Sequence, residues 1–292
     1  MNILEQYESF LLKEKRSSKH TVTAYIQDVD AFLSFAQIPY SFSGLAEVNY
    51  QLVRAWIVQL VSDGISNKSV NRKLSALRGM FKWVKQTNPE ITNPMQRIKG
   101  LKVGKRIPEF VKESELDGGS AREEQEGEEL NQQDVLIIEL FYQTGMRLSE
   151  LINLKHKDVQ DGAVRVIGKR NKERIIPVSE KLFHALEAWE KEKMKTHPHT
   201  VYLFCTTKGL KLYPKFVYRL VNSYLTQRTT LKKKSPHVLR HTFATHMLNN
   251  GAGLESIKSI LGHANLGATQ IYTHNSFAQL AGIYRNAHPR GG

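Results

Sequence analysis

Ser235-Pro236-His237-Val238-Leu239-Arg240-His241 is the stretch from which the rest of this chain is read. It opens a helix over about Pro236 to Asn249, and Asn249-Asn250-Gly251 is a good stop. His237 and Arg240 are three residues apart in the first turn and so share a face. The helix N-terminus adds its own partial positive charge at that point, which makes an anion site by construction.

Three other blocks in the same half bring matching chemistry. Thr144-Gly145-Met146-Arg147-Leu148-Ser149-Glu150-Leu151 sets an arginine just after a glycine, between helical stretches. Two β-rich runs, Ala163 to Ile167 and Arg174 to Val178, flank Gly168-Lys169-Arg170-Asn171-Lys172, so Lys169 falls at the polar tip of a β-hairpin. Leu261-Gly262-His263 places a histidine after a helix end, and Gln270-Ile271-Tyr272-Thr273-His274 puts a tyrosine in a short apolar segment.

Two arginines, a lysine, two histidines and a tyrosine suit phosphoryl transfer without a metal. Arginine clamps non-bridging oxygens with a planar fork. A tyrosine hydroxyl attacks phosphorus once a base or dense positive charge offsets its pKa of about 10. Taken singly, each residue has an ordinary role open to it. Arg147 has Glu150 as an ion-pair partner, His237 serves as a capping residue, His263 as a core histidine, Tyr272 as a half-buried aromatic and Lys169 as a solvated tip. His241 and His246 are five apart, which is not the spacing of a helical zinc pair, and no metal or other cofactor is expected.

Composition sets the wider frame. The 292 residues suffice for two domains, and the net charge of +14 with a pI near 9.7 favours a polyanionic partner. Glu113 to Glu129 holds eight acids and one arginine, a local −7 that leaves +21 on the rest of the chain. No apolar run approaches membrane-span length, and Met1-Asn2-Ile3-Leu4-Glu5 lacks a leader pattern, so a cytoplasmic protein without membrane contact is expected. The single cysteine, Cys205, reads as a small strand hydrophobe.

Residues 1–100 read as all-helical. Ile3, Tyr7, Phe10 and Leu11 recur at helix spacing, as do Val22, Tyr25, Ile26, Val29 and Leu33, and a third segment runs from about Ala46 to Leu60. A fourth, about Lys68 to Gln86, carries an apolar stripe (Val70, Leu74, Leu77, Phe81, Val84) and a basic one (Lys68, Arg72, Ser75, Arg78, Lys82). Every charge in the second stripe is positive, the pattern of a helix facing phosphates. Residues 101–130 read as a linker, basic and then acidic, in which Asp117 to Gly127 is expected to be mobile. Residues 131–292 read as mixed α and β, with a short strand over Val201 to Phe204 and a last helix over about Asn275 to Asn286.

Taken together and in this order, the block around Arg147, the Gly168-Lys169 hairpin, the His237–His246 block and Leu261-Gly262-His263 with Tyr272 nine residues on resemble the tyrosine recombinase and integrase family, closest to the Xer type. The N-terminal half resembles it through Ser18, Thr21, Tyr25 and Asp28 and through Arg72 to Arg78.

The resemblance implies a mainly α, two-domain DNA clamp. A helical SAM-like core-binding domain (1–100), with Thr21 and Tyr25 also on DNA, precedes an α+β catalytic domain (131–292). It implies Tyr272 as nucleophile, Arg147 and Arg240 as phosphate clamps, Lys169 as the proton donor to the leaving 5′ oxygen, and His237 and His263 as proton-transfer and phosphate-binding groups. Glu150 matches a position that orients the first histidine. Arg170 departs from the pattern, standing where many relatives have glycine.

The last helix, through Phe277, Leu280, Ile283 and Tyr284, is expected to dock on a neighbouring subunit of a tetramer holding two double-stranded DNA sites. That tetramer contains either one recombinase or a second, related one. A Xer-like role implies a 3′-phosphotyrosyl intermediate, a Holliday junction, a dif-like site, chromosome partition at cell division and a septal DNA translocase as partner. A mobile-element integrase is the nearest alternative, disfavoured because no arm-binding domain fits, and a non-catalytic architectural DNA-binding protein is the more distant one.

Overall fold

The computed structural model describes residues 2–104, 109–116, 130–168, 172–262 and 274–291, the side chains of 274–276 excepted. The chain divides into two compact units, Met1–Arg106 and Ile107–Gly292. Among the described residues no helix is long and apolar enough to cross a membrane.

The first unit is helical: α1 (Ile3–Lys13), α2 (Lys19–Ala36), α3 (Phe42–Ala46), α4 (Tyr50–Ser62) and α5 (Asn67–Thr87). Polar caps set the starts. Asn2 and Glu5 form a capping box on α1, and Ser18 and Ser66 accept N–H groups in the first turns of α2 and α5. The third segment expected from about Ala46 to Leu60 is α4, which starts at Tyr50, and the short α3 precedes it. Asn49 accepts the Leu52 N–H at 2.9 Å and restarts the helix after a break at Glu47–Val48.

The apolar stripe of α5 is buried throughout, against Tyr7, Phe32 and Leu33. Gly79 admits that packing, because a Cβ there would lie 2.6 Å from the Tyr7 hydroxyl. A buried acid ties α2 to α5: Asp28 accepts Arg72 through both guanidinium nitrogens and Lys73 at 3.0 Å.

In the second unit, α6 (Glu113–Leu116), α7 (Gln132–Thr144) and α8 (Leu148–Leu151) precede the strands β1 (Val159–Gln160), β2 (Ala163–Ile167) and β3 (Glu173–Pro177). The sheet is antiparallel in that order, with Val164 opposite Ile176 and Val166 opposite Arg174. Then come α9 (Glu180–Thr196), α10 (Pro214–Arg228), α11 (Pro236–Asn249), α12 (Leu254–Leu261) and α13 (His274–Ala287).

Ile137, Phe141, Val164, Ile176, Leu186, Leu239, Phe243 and Ile260 lie in one continuous core. Val111 and Leu116, from the segment read as a linker, belong to that core, and the Val111 N–H donates to the Thr242 hydroxyl at 3.0 Å. The expected mobile stretch from Asp117 to Gly127 lies outside the described residues.

Two expectations change. Val201 to Phe204 is not a strand; isolated bridges pair Lys155 with Tyr202 and Cys205 with Lys211. Side chains, not a neighbouring strand, take the Leu203 carbonyl, which accepts Trp189 Nε1 at 2.9 Å and the buried Lys193 ammonium at 2.8 Å. The stripe on α13, expected to dock on another subunit, is largely filled by its own unit. Leu280 and Tyr284 are buried there, Ile283 packs against the same core, and only Phe277 is merely half-buried without a place in it.

The Tyr284 hydroxyl donates to Gln143 Oε1 at 3.2 Å. His288 stacks on the Tyr284 ring at 5.0 Å between centroids, and its Nε2 donates to the Tyr142 carbonyl at 3.2 Å. Burial pushes the His288 imidazole down to about 4, so it sits neutral in this aromatic cluster.

Tyr284→Ala is therefore expected to destabilise the second unit by about 3–5 kcal/mol, the range for deleting a large buried aromatic. Chemical denaturation reads it, and an unchanged midpoint would show that α13 contributes nothing to the core.

Candidate functional site: an arginine cluster at a helix N-terminus

Four elements converge here. Gly145 ends α7 in the left-handed region at φ 57°, where a Cβ would fall 2.6 Å from Phe243 and 2.7 Å from Leu261. The turn it makes delivers Arg147 to the start of α8. Gly262 ends α12 in the same conformation, at φ 64°. Ser235 precedes α11, which carries His237 on the exposed side of its first turn and Arg240 one turn in.

The expected arginine pair is brought together. Arg240 donates to the Gly145 carbonyl at 2.6 Å and to the Leu261 carbonyl at 2.7 Å. Arg147 donates to the next carbonyl, Gly262, at 3.2 Å. The unsatisfied carbonyls at the C-terminus of α12 thus hold both cations side by side, where the negative end of the helix dipole favours them. Burial lowers the Arg240 guanidinium to about 10, helped by Arg147 and Arg174. His237 is lowered too, by loss of solvent around the ring first and then by Arg240, Lys233 and Arg147. Positive charge in such density suits an anion with several oxygens.

Glu150 lies beneath the pair and is only 5% exposed. The resemblance implies that it orients His237, and its contacts are otherwise. It accepts the Arg147 backbone N–H at 2.7 Å and the Arg147 guanidinium at 2.8 Å, and it takes a bidentate pair of 2.8 Å bonds from Arg174. Among the described residues it makes no hydrogen bond to His237. Burial alone would raise this carboxyl, but Arg174, with help from Arg147, more than offsets that and holds it at about 2.

Sequence reading missed Arg174, which lies on β3 and is itself 5% exposed. A signal was available: the two-residue period of the strand sets Arg174 on the same face as buried Ile176. A charge on an inward face needs a partner.

The remaining expected residues divide. Lys169, His263 and Tyr272 lie outside the described residues. On α5, Arg72 is paired with Asp28, Arg78 donates to the Ile98 carbonyl at 2.9 Å, and Ser75 bonds back to the Asn71 carbonyl at 2.9 Å. Lys68 and Lys82 are exposed. Thr21 is half-buried and bonds the Ser18 hydroxyl at 2.8 Å, and Tyr25 is half-buried against the core of its unit.

A helical unit followed by a unit that gathers arginines behind a helix N-terminus, beside a β-hairpin, makes an anion site of the kind that enzymes of phosphoryl transfer use. Residues 120–279 match the model described as Phage integrase family, and residues 4–88 match the model described as Phage integrase, N-terminal SAM-like domain. The chain is 33% identical over 315 residues to a protein named Tyrosine recombinase XerC from Chlorobaculum parvum, covering 98% of this chain and 94% of that one. It is 34% identical to one of the same name from Pseudomonas syringae pv. tomato, covering 98% and 96%. Its fold is similar to that of XerH site-specific recombinase bound to palindromic difH substrate, with TM-score 0.70, 22% identity and coverage of 96% and 83%. The chain belongs to the phage integrase family of site-specific tyrosine recombinases, enzymes that break and rejoin DNA.

Glu150 is charged far below its ordinary value near 4.5, so its contribution to stability is complete above that value and is lost as pH falls toward about 2. Glu150→Gln is expected to be less stable than the wild type near neutral pH, by on the order of a few kcal/mol. The gap should narrow as pH falls below about 4.5, because the carboxyl of the unfolded chain takes up a proton there while the folded Glu150 keeps its charge until about 2. Urea midpoints measured from about pH 7 down to about pH 3 test this, and a constant gap would rule out a charged Glu150 as its source.

Proposed function

We propose that this enzyme cleaves one strand of double-stranded DNA by attack of the Tyr272 hydroxyl on the scissile phosphorus, forming a 3′-phosphotyrosyl bond and a free 5′ hydroxyl. The observation that carries this reading is the pair Arg147 and Arg240, held on the adjacent carbonyls of Gly262 and Leu261 with both charges bearing on His237.

The trigonal-bipyramidal transition state gains charge on its equatorial oxygens, and two preorganised guanidinium groups meet it. The lowered pKa of His237 leaves its ring neutral at neutral pH, able to accept or donate a proton. His263 adds a donor to the phosphate, and Lys169 protonates the leaving 5′ oxygen. One phosphodiester is exchanged for another, so the bond energy is retained and rejoining is the reverse reaction with a hydroxyl from the partner strand.

Exchange of one strand pair and then the other passes through a Holliday junction. That requires four subunits on two DNA sites, either all of this chain or paired with a related recombinase. Residues 1–100 bind the core site through the exposed Lys68 and Lys82, together with Thr21, Tyr25, Arg72, Ser75 and Arg78. Half-buried Phe277 is what remains of the α13 stripe for contact between subunits unless the helix leaves its own core. The similarity to proteins named XerC supports a cytoplasmic role in chromosome partition at cell division: resolving chromosome dimers at a dif-like site, under a septal DNA translocase.

A nicked suicide substrate carrying the candidate site tests the chemistry. Wild type is expected to give a covalent protein–DNA band on a denaturing gel and Tyr272→Phe none. Arg240→Ala is expected to cleave about 10²–10³-fold more slowly in single turnover, the cost of losing one preorganised donor. A covalent band from Tyr272→Phe, or wild-type cleavage by Arg240→Ala, would overturn these roles.

A further inference from the structure

Arg147 has two anchors for its guanidinium: the Glu150 carboxylate at 2.8 Å and the Gly262 carbonyl at 3.2 Å. Both rest on one other side chain. Arg174 grips Glu150 with two bonds of 2.8 Å, and its Nε donates to the Ile260 carbonyl at 2.6 Å. Gly262 also lies flat against it, where a Cβ would fall 3.0 to 3.2 Å from the guanidinium and Cδ. The neck of the hairpin meets the same point, since a Cβ on Gly168 would lie 3.5 Å from Arg174 Nη1 and from Glu150 Oε1. Each nitrogen of the Arg174 fork thus donates to protein, and at 5% exposure the side chain offers almost no surface to DNA.

We propose that Arg174 is a positioning residue for cleavage: it sets Arg147 on the scissile phosphate by holding both the carboxylate and the helix end to which Arg147 is bound. The proposal rests on the reading of Arg147 as a phosphate clamp. Its rival is that Arg174 only neutralises a buried acid. A planar fork matters for the first and not for the second, because lysine supplies the charge but not the paired geometry.

The test compares Arg174→Lys, the neutral pair Glu150→Gln with Arg174→Met, and Arg147→Ala, each with wild type. The substrates are a nicked DNA site with an ordinary scissile phosphate and the same DNA with a methylphosphonate there, which removes one charged oxygen. Thermal unfolding and gel shifts report folding and binding.

Arg174→Lys is expected to fold and bind DNA, yet cleave the ordinary substrate about 10²-fold more slowly, the scale of a misplaced donor. On methylphosphonate its deficit should shrink to within about threefold, as should that of Arg147→Ala, because the missing interaction is with the phosphate charge. The neutral pair should stay slow on the ordinary substrate.

Wild-type cleavage by Arg174→Lys, an equal deficit on both substrates, or recovery in the neutral pair would overturn the proposal. So would failure of both Arg174 variants to fold, which would make Arg174 a strut of the fold alone. If Arg147→Ala itself shows no dependence on the phosphate charge, the clamp reading fails and this proposal with it. A normal Arg147→Ala pattern beside an indifferent Arg174→Lys sinks the positioning role alone.

Discussion

Glu150 and Arg174 face each other in the interior of the second unit, each 5% exposed and joined by two 2.8 Å bonds. A buried carboxylate is costly unless its lone pairs are met by donors and its charge by an opposite one. Here both conditions are satisfied by Arg174 from β3 and by Arg147 from the turn before α8. The pair therefore joins a strand to a helix across 24 residues of sequence and brings the end of α12 with it. Arg147 is bound to that junction through Glu150, and Arg240 to the same end of α12 through the Leu261 carbonyl. Without it, two cations would be drawn to the same helix end with no carboxylate beneath them.

The surplus of positive charge divides by use. In the first unit Arg72 and Lys73 are bound to Asp28, and Arg78 closes on the Ile98 carbonyl, so part of a stripe that reads as free charge is internal structure. In the second unit Arg240 is held by the backbone carbonyls of Gly145 and Leu261, which orient it without cancelling its charge. A carbonyl-bound guanidinium still attracts an anion, whereas one paired with a carboxylate does so much less. Arg147 is bound to both kinds of partner and is intermediate.

Much of the architecture was legible. The start of α11, the glycine turn before Arg147, the hairpin and the buried face of α5 all follow from caps, periodicity and turn residues, which act within a few positions of one another. The failures share a cause. Val201 to Phe204 has the composition of a strand, but Trp189 and Lys193 take up the carbonyl that a neighbouring strand would need. The apolar stripe of α13 reads correctly as a buried face, yet periodicity names no partner, and Tyr284 finds Gln143 in its own unit.

The sequence by itself determined which residues are helical, which faces are apolar and which chemical groups are available, because local backbone preference and side-chain spacing decide these. It also showed that His237 and Arg240 share a helix N-terminus, since three residues make nearly one turn. Only the tertiary structure decided that Glu150 serves the arginines and is not hydrogen-bonded to His237. It likewise decided that Arg174 carries the junction and that consecutive carbonyls of α12 present Arg147 and Arg240 together. Those are meetings between groups far apart in the chain. They are selected by the need to pair every buried charge and satisfy every helix end, a condition on the whole fold that no local pattern records.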